Sequence, residues 1–172
     1  MLRAFPNPYA QHSDEALVPL IAQGETAAFD GLYLRYHQHL LHYFYRMLNR
    51  RPDRAQDLLQ ELFLKVIERG SQISPQQSFS TWAFAVAHHM CCNEYRHQQV
   101  RRTATEVDID QFPAAFADLD CLLDQQRFKE ALLRELAQIE KDRRSTFLLR
   151  YQENFSLKEI SDIMQCSLGT VK

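Results

Sequence analysis

The sequence predicts an all-α protein made of two small helical domains joined by an acidic linker, the second domain a helix-turn-helix. Apolar residues recur at helical spacing along most of the 172 residues. Only 4 Gly and 6 Pro interrupt them, which suits helices and disfavours a turn-rich β fold. Between the helical stretches, residues 103–124 hold Glu106, Asp108, Asp110, Asp118, Asp120 and Asp124 without a single Lys or Arg.

Taken in order, residues 1–12 carry Pro6 and Pro8 among polar neighbours and are expected to be disordered. A helix starts near Ser13, with Leu17, Leu20 and Ile21 on one face, and Gly24 interrupts it. Phe29, Leu32, Tyr33, Tyr36, Leu40, Tyr43, Phe44 and Leu48 then follow the i, i+3, i+4, i+7 spacing of a long amphipathic helix, broken at 49–52. From Asp53, a stripe of Ala55, Leu58, Leu59, Leu62, Phe63, Val66 and Ile67 predicts a second long helix ending at Gly70. After a polar loop (71–80) with Pro75, a third helix turns Trp82, Ala83, Val86, Ala87, Met90 and Tyr95 inward. These elements make a first module over 13–102. The acidic segment 103–120, with Pro113 at its middle, reads as the linker.

The second module, 121–172, resumes helical periodicity with Leu122, Leu123, Leu132, Leu133, Leu136 and Ile139, followed by a helix over about 142–152 with Phe147, Leu148 and Tyr151. Ser156-Leu157-Lys158-Glu159 is a capping box, in which the Ser hydroxyl caps a backbone N–H and the Glu reaches back. Leu157, Ile160, Ile163 and Met164 give a short helix with one buried side. A turn at Gln165-Cys166-Ser167 leads into a second helix opening at Leu168. Helix, tight turn, helix is the helix-turn-helix layout, whose second helix presents its first residues to base edges. A helical hairpin in a bundle has the same pattern. The chain stops at Lys172, about one turn into that second helix, so this module reads as truncated at its C-terminus.

The formal charge of −2 leaves DNA binding to local clusters rather than to a general positive field. Cys91, Cys92, Cys121 and Cys166 form no CxxC pair, and reduced thiols in a soluble cytoplasmic protein are the plain expectation. Residues 1–11 hold no apolar run of a signal peptide, and no stretch reaches the roughly 20 apolar residues that span a bilayer, so no membrane insertion is expected. No nucleophile–base pair, Gly-rich phosphate loop or complete metal set is evident, so the chain is expected to be no enzyme and to need no cofactor. The run His88-His89-Met90-Cys91-Cys92 brings His88 to the helix face of Cys91 or Cys92, and His89 to that of Cys92. Zinc usually takes four ligands, so buried small side chains, and no metal, are the expectation there.

Several ordered motifs resemble bacterial RNA polymerase sigma factors of the sigma-70 family. Asp57-Leu58-Leu59-Gln60-Glu61-Leu62-Phe63-Leu64-Lys65 resembles their region 2.2, and Phe79-Ser80-Thr81-Trp82-Ala83-Phe84 their region 2.3. Leu148-Leu149-Arg150-Tyr151, Ser156-Leu157-Lys158-Glu159-Ile160 and Gly169-Thr170-Val171-Lys172 resemble region 4. Order and spacing are similar to the extracytoplasmic-function (ECF) group, which has only these two domains. Relatives often carry Gly where this chain has Gln165, and continue past Gly-Thr-Val-Lys with a basic stretch that contacts the −35 promoter element.

The resemblance implies promoter recognition and melting as a sigma subunit, with partners core RNA polymerase (β′ coiled coil and β flap), promoter DNA and an anti-sigma factor. Asp57, Gln60, Glu61, Leu64 and Glu68 share the helix face opposite the core stripe, an acidic surface with an apolar anchor. The resemblance assigns that face to the β′ coiled coil. It assigns Ser78, Phe79, Ser80, Thr81 and Trp82 to a pocket for a flipped −10 base, which needs hydrogen bonds and stacking. Asn93, Arg96 and His97 follow on the next helix, where Asn suits adenine and Arg suits guanine. Arg101 and Arg102 are placed for phosphates. Ser167, Gly169, Thr170 and Lys172 are the −35 candidates. The acidic linker, by the same resemblance, threads the polymerase cleft as a nucleic-acid mimic. Two other functions fit the pattern: a helix-turn-helix regulator that binds duplex DNA alone, and a sigma-like decoy that binds protein.

Overall fold

Each helix begins and ends where local chemistry dictates. The computed structural model describes residues 8–9, 11–70, 73, 77–102 and 123–171, with backbone only at 99–102 and 123–129. The linker expected at 103–120, most of the expected disordered N-terminus, and Lys172 lie outside the described residues.

Helix α1 (Asp14–Ala22) is capped by Ser13, whose hydroxyl accepts from the Ala16 N–H at 3.3 Å. Asp14 ties it to the next helix through Arg35 at 2.5 Å and through the Tyr36 hydroxyl. Gly24, at φ +90, makes the turn. Helix α2 (Thr26–Met47) buries Leu32, Leu40, Tyr43, Phe44 and Met47. Asn49 and Arg50 then take positive φ, and Pro52 opens α3 (Pro52–Arg69) at a position where its missing N–H costs nothing.

Helix α3 buries Ala55, Leu58, Leu59, Leu62, Phe63 and Val66, as the apolar stripe predicts. Ile67 departs from that expectation, with 49% of its surface exposed. At about 100° per residue it lies at the edge of the stripe, about 20° from Gln60 on the outer face.

Helix α4 (Phe79–Arg102) is buried over a broad arc. Ala83, Ala87 and Met90 occupy one side of the arc, and Phe84, His88 and Cys91 the adjoining side. Trp82 and Val86, expected to face in, are only half-buried at its margin, and Tyr95, also half-buried, does turn inward, its hydroxyl donating to the Met47 carbonyl.

Helix α5 (Leu123–Gln138) buries Leu136 but leaves Leu132 exposed, and Ile139, just past its end, is exposed as well, contrary to the periodicity. Helix α6 (Lys141–Phe147) passes into a π-helical turn, Leu148–Gln152, closed by the Glu153 N–H donating to the Leu148 carbonyl at 3.2 Å. The single helix expected over 142–152 is therefore two segments. Consecutive residues, Leu148 and Leu149, both enter the core at this turn, and Tyr151 is 72% exposed. Helices α7 (Leu157–Met164) and α8 (Leu168–Val171) complete the described chain.

The two modules share one core, a contiguous cluster of buried residues running from Leu17 to Val171. The seam between them is built from specific contacts. Phe84 of α4 meets Phe155 edge-to-face at 5.2 Å. The Tyr43 hydroxyl lies 2.8 Å from Ser145 Oγ. Arg144, 3% exposed, donates to the Met47 carbonyl (2.9 Å), Asn49 Oδ1 (2.6 Å) and the Tyr95 hydroxyl (2.9 Å) in the first module, and to the Ala137 and Ile139 carbonyls in its own. At the rim His39 pairs with Glu153 at 2.8 Å, and Arg46 donates to Gln152.

Candidate functional site

The outward face of α3 follows from its inward one. Because the stripe from Ala55 to Val66 fills the core, Asp57, Gln60, Glu61, Leu64 and Glu68 all stand in solvent. Leu64 is 58% exposed, so an aliphatic side chain sits unsheltered within the acidic surround. Ile67 adds a second apolar chain along the line Gln60–Leu64–Ile67, which the stripe assignment had hidden. Asp57 is held by Arg54 at 3.1 Å and Glu61 by Lys65 at 2.7 Å. Arg54 also donates to Glu94 of α4 at 2.6 Å, and this hydrogen bond holds the Glu94 carboxyl below its ordinary range.

The start of α4 is organised by hydroxyls. Ser78 Oγ accepts from the Thr81 N–H at 3.3 Å and lies 2.7 Å from Thr81 Oγ1 and 3.2 Å from Ser80 Oγ. Phe79 is 1% exposed and Thr81 6%. The Phe79 ring is packed between Tyr36 at 5.0 Å and Trp82 at 5.9 Å, so it is committed to the core and offers no free face to a base. Of the expected pocket, Ser78, Ser80 and Trp82 keep accessible surface.

Further along α4, Trp82, Val86, His89, Asn93, Arg96 and His97 fall within an arc of about 100° at helical spacing. His89, Asn93, Arg96 and His97 are exposed, and Arg96 donates to Asn93 Oδ1 at 3.1 Å. His89 belongs to this face, although the sequence pointed it toward Cys92. His97 also lines a pocket with Arg51, Arg54 and Glu94, which brings Arg51 beside the face from the turn before α3. Arg101 and Arg102 end α4, and their side chains lie outside the described residues.

In the second module the capping box is present in full. The Glu159 N–H donates to Ser156 Oγ at 3.2 Å, and the Ser156 N–H to Glu159 Oε2 at 2.8 Å. Hydrogen bonds from the Ser156 side chain and backbone N–H hold the Glu159 carboxyl below its usual range. The turn takes Gln165 to φ +52, a left-handed position, which is where the family resemblance leads one to expect Gly. Ser167 caps α8, accepting from the Thr170 N–H at 3.3 Å with its Oγ 2.8 Å from Thr170 Oγ1. Ser167, Gly169 and Thr170 are exposed while Val171 is buried, so the start of α8 is anchored on one side and open on the other.

A third feature lies at the seam. His88, 5% exposed, places Nδ1 2.9 Å from Ser145 Oγ and 3.4 Å from the Tyr43 hydroxyl, with Nε2 3.5 Å from Cys92 Sγ. Burial, reinforced by His89, pushes its pKa down to about 4. Burial pushes the Cys91 and Cys92 thiols up. Asp142 of α6 brings a carboxylate to the same place, and the ligand atoms of His88, Cys92 and Asp142 all lie within 4.8 Å of one another. Of the sequence alternatives it is thus His88 that pairs with Cys92.

Known proteins align with both modules in order. The family model for Sigma-70 region 2 matches residues 32–101, and that for Sigma-70, region 4 matches residues 129–172. The RNA polymerase sigma-H factor of Pseudomonas aeruginosa is 30% identical over 173 residues, covering 94% of this chain and 88% of its own length. The ECF RNA polymerase sigma-E factor of Escherichia coli K12 is 25% identical over 170 residues, again covering 94% and 88%. Two solved structures share the fold. CnrH in complex with the cytosolic domain of CnrY superposes with TM-score 0.66 at 18% identity, covering 92% of this chain and 86% of that one. The sigma factor RpoE in complex with the anti-sigma factor NepR, from Bartonella quintana, superposes with TM-score 0.64 at 21% identity, covering 83% and 86%.

Proposed function

We propose a division of labour for this chain, which belongs to the ECF group of the sigma-70 family and directs RNA polymerase to start transcription at specific promoters. The α3 face of Asp57, Gln60, Glu61, Leu64 and Glu68, extended by Ile67, docks on the β′ coiled coil of core polymerase. The observation that carries this assignment is the pair of large aliphatic side chains, Leu64 and Ile67, left in water on a helix whose other face is fully used by the core. Acidic neighbours steer a basic partner onto that anchor.

The α4 face reads the −10 element. Ser78, Ser80 and Trp82 border the flipped base, with Phe79 and Thr81 supporting them from the core. Asn93, Arg96 and His97 contact neighbouring bases, and Arg101 and Arg102 hold phosphates. Ser167, Gly169, Thr170 and Lys172 approach the −35 element, with the region-4 module seated on the β flap. The polymerase performs the catalysis, so this chain acts by binding alone and in the cytoplasm. An anti-sigma factor restrains it, as NepR is paired with the sigma factor RpoE.

Burying Leu64 and Ile67 at an interface contributes about 1.5–3 kcal/mol each, a tenfold or greater effect on affinity. Leu64→Asp and Ile67→Asp, both at exposed positions, should therefore weaken core-polymerase binding at least tenfold in fluorescence-anisotropy titrations. Unchanged affinity in both variants would remove α3 from the docking surface.

A further inference from the structure

Two of the three converging groups at the seam belong to the first module and one to the second. His88 and Cys92 stand one turn apart on α4, and Asp142 enters from α6. Sequence spacing alone offered only the α4 pair, which is too few ligands for a site. The carboxylate arrives through the packing of the modules.

The α4 pair already stands at the separation of neighbouring ligands in a first coordination sphere, and the carboxylate lies within 4.8 Å of both. A tetrahedral zinc ion with Zn–S of about 2.3 Å and Zn–N of about 2.0 Å separates the sulfur and nitrogen by about 3.5 Å. His88 Nε2 and Cys92 Sγ stand 3.5 Å apart. The imidazole is also oriented as a ligand should be. In the tautomer that donates from Nδ1 to Ser145 Oγ, which is itself bonded to the Tyr43 hydroxyl, the Nε2 lone pair faces Cys92. Burial differs between the three groups: His88 is buried, Cys92 half-buried and Asp142 exposed. An ion thus has a path in from solvent on the Asp142 side, and a water can complete the tetrahedron there.

We infer that His88 Nε2, Cys92 Sγ and the Asp142 carboxylate form a site for a divalent transition-metal ion of the zinc class, shared between the two modules. Imidazole, thiolate and carboxylate together suit zinc or cobalt(II) and do not suit the hard, all-oxygen preference of Mg2+ or Ca2+. Binding displaces the Cys92 thiol proton to solvent. Because the ligands come from both modules, the ion binds the packed arrangement better than the separated one and shifts the population toward it. The Phe84–Phe155 contact and the Arg144 hydrogen bonds pack the seam without metal, and the ion adds an adjustable clasp.

The test uses the full reduced chain. Cobalt(II) is titrated as a spectroscopic probe, with zinc(II) as competitor against a chromophoric chelator. The expected result is one equivalent bound, a near-ultraviolet sulfur-to-cobalt charge-transfer band, and intense visible bands of tetrahedral cobalt, all displaced by zinc. Cys92→Ser and Asp142→Asn should each weaken zinc binding at least tenfold, and Cys166→Ser should leave it unchanged. Hydrogen exchange supplies the second readout: zinc should slow exchange of α6 amides in the parent chain and not in Asp142→Asn. Absence of the charge-transfer band overturns the site. So does equal affinity in Asp142→Asn, since the ion would then be held without the second module.

Discussion

Arg144 is the most demanding single residue in the fold, and its removal has a calculable consequence. Arg144 is 3% exposed, and among the described residues its guanidinium bonds neutral acceptors: three carbonyls, one amide oxygen and one phenol hydroxyl. Its Nε has no hydrogen-bond partner. A hydrogen bond to a charged group contributes about 1.5–3 kcal/mol, and orphaning a buried acceptor costs about 1–3 kcal/mol, so the five contacts overlap and do not sum. Some acceptors keep another partner; the Met47 carbonyl, for example, also accepts from Tyr95. Arg144→Ala should therefore cost about 3–5 kcal/mol, at the level of a broken buried hydrogen-bond network. Arg144→Lys should recover only part of it, because one ammonium cannot reach acceptors spread along a planar fork. The assay is urea unfolding followed by circular dichroism and by Trp82 fluorescence. If the seam carries the loss, the two probes should separate, since Trp82 sits in the first module. A loss under about 1 kcal/mol for Arg144→Ala would refute the argument that this cation cross-braces the modules.

Other perturbations follow from single observations. His88, with its folded pKa at about 4 against an ordinary 6.5, is charged more readily unfolded than folded. Stability is therefore lost as pH falls from about 6.5 toward 4, by up to about 3 kcal/mol, and levels off below; in chelated buffer, His88→Gln should flatten that part of the urea-midpoint profile. Ser156→Ala removes the cap of α7 and should cost about 1 kcal/mol in urea unfolding, with an upward return of the Glu159 carboxyl pKa by NMR titration. Gln165→Gly relieves a left-handed residue, but frees the unfolded chain, so a gain of about 0.5 kcal/mol in thermal or urea unfolding is expected, with Gln165→Val a clear loss.

The legible parts of the sequence were those set by local period and local caps. The α3 stripe, the Asn49–Pro52 break and the Ser156–Glu159 box depend on residues within two turns of each other, so spacing alone reveals them. Features that depend on packing between distant segments were hidden. Ile67 fits the apolar period, yet among the described residues no neighbour covers the edge of α3 where it stands. Phe79 looks like a base-stacking ring in its motif and is instead consumed by Tyr36 and Trp82. α4 carries apolar residues over a broad arc because the second module lies against it, so no single inward face describes it. The π turn at Leu148–Gln152 has no period of its own to betray it. Arg144 and Asp142 reveal nothing in sequence, since each meets the first module only through groups 49 or more positions away.

As a sigma factor, this chain confers promoter selectivity on a polymerase that lacks it. The direct measurement is in vitro transcription with purified core polymerase over a promoter library, with the 5′ ends of the products sequenced. Discrete starts at a shared upstream sequence are expected with this chain present and none with core alone, and they should be lost with Leu64→Asp or with Asn93→Ala together with Arg96→Ala. Sequence-specific binding of the chain to duplex DNA without core, or tight core binding that yields no discrete starts, would contradict it.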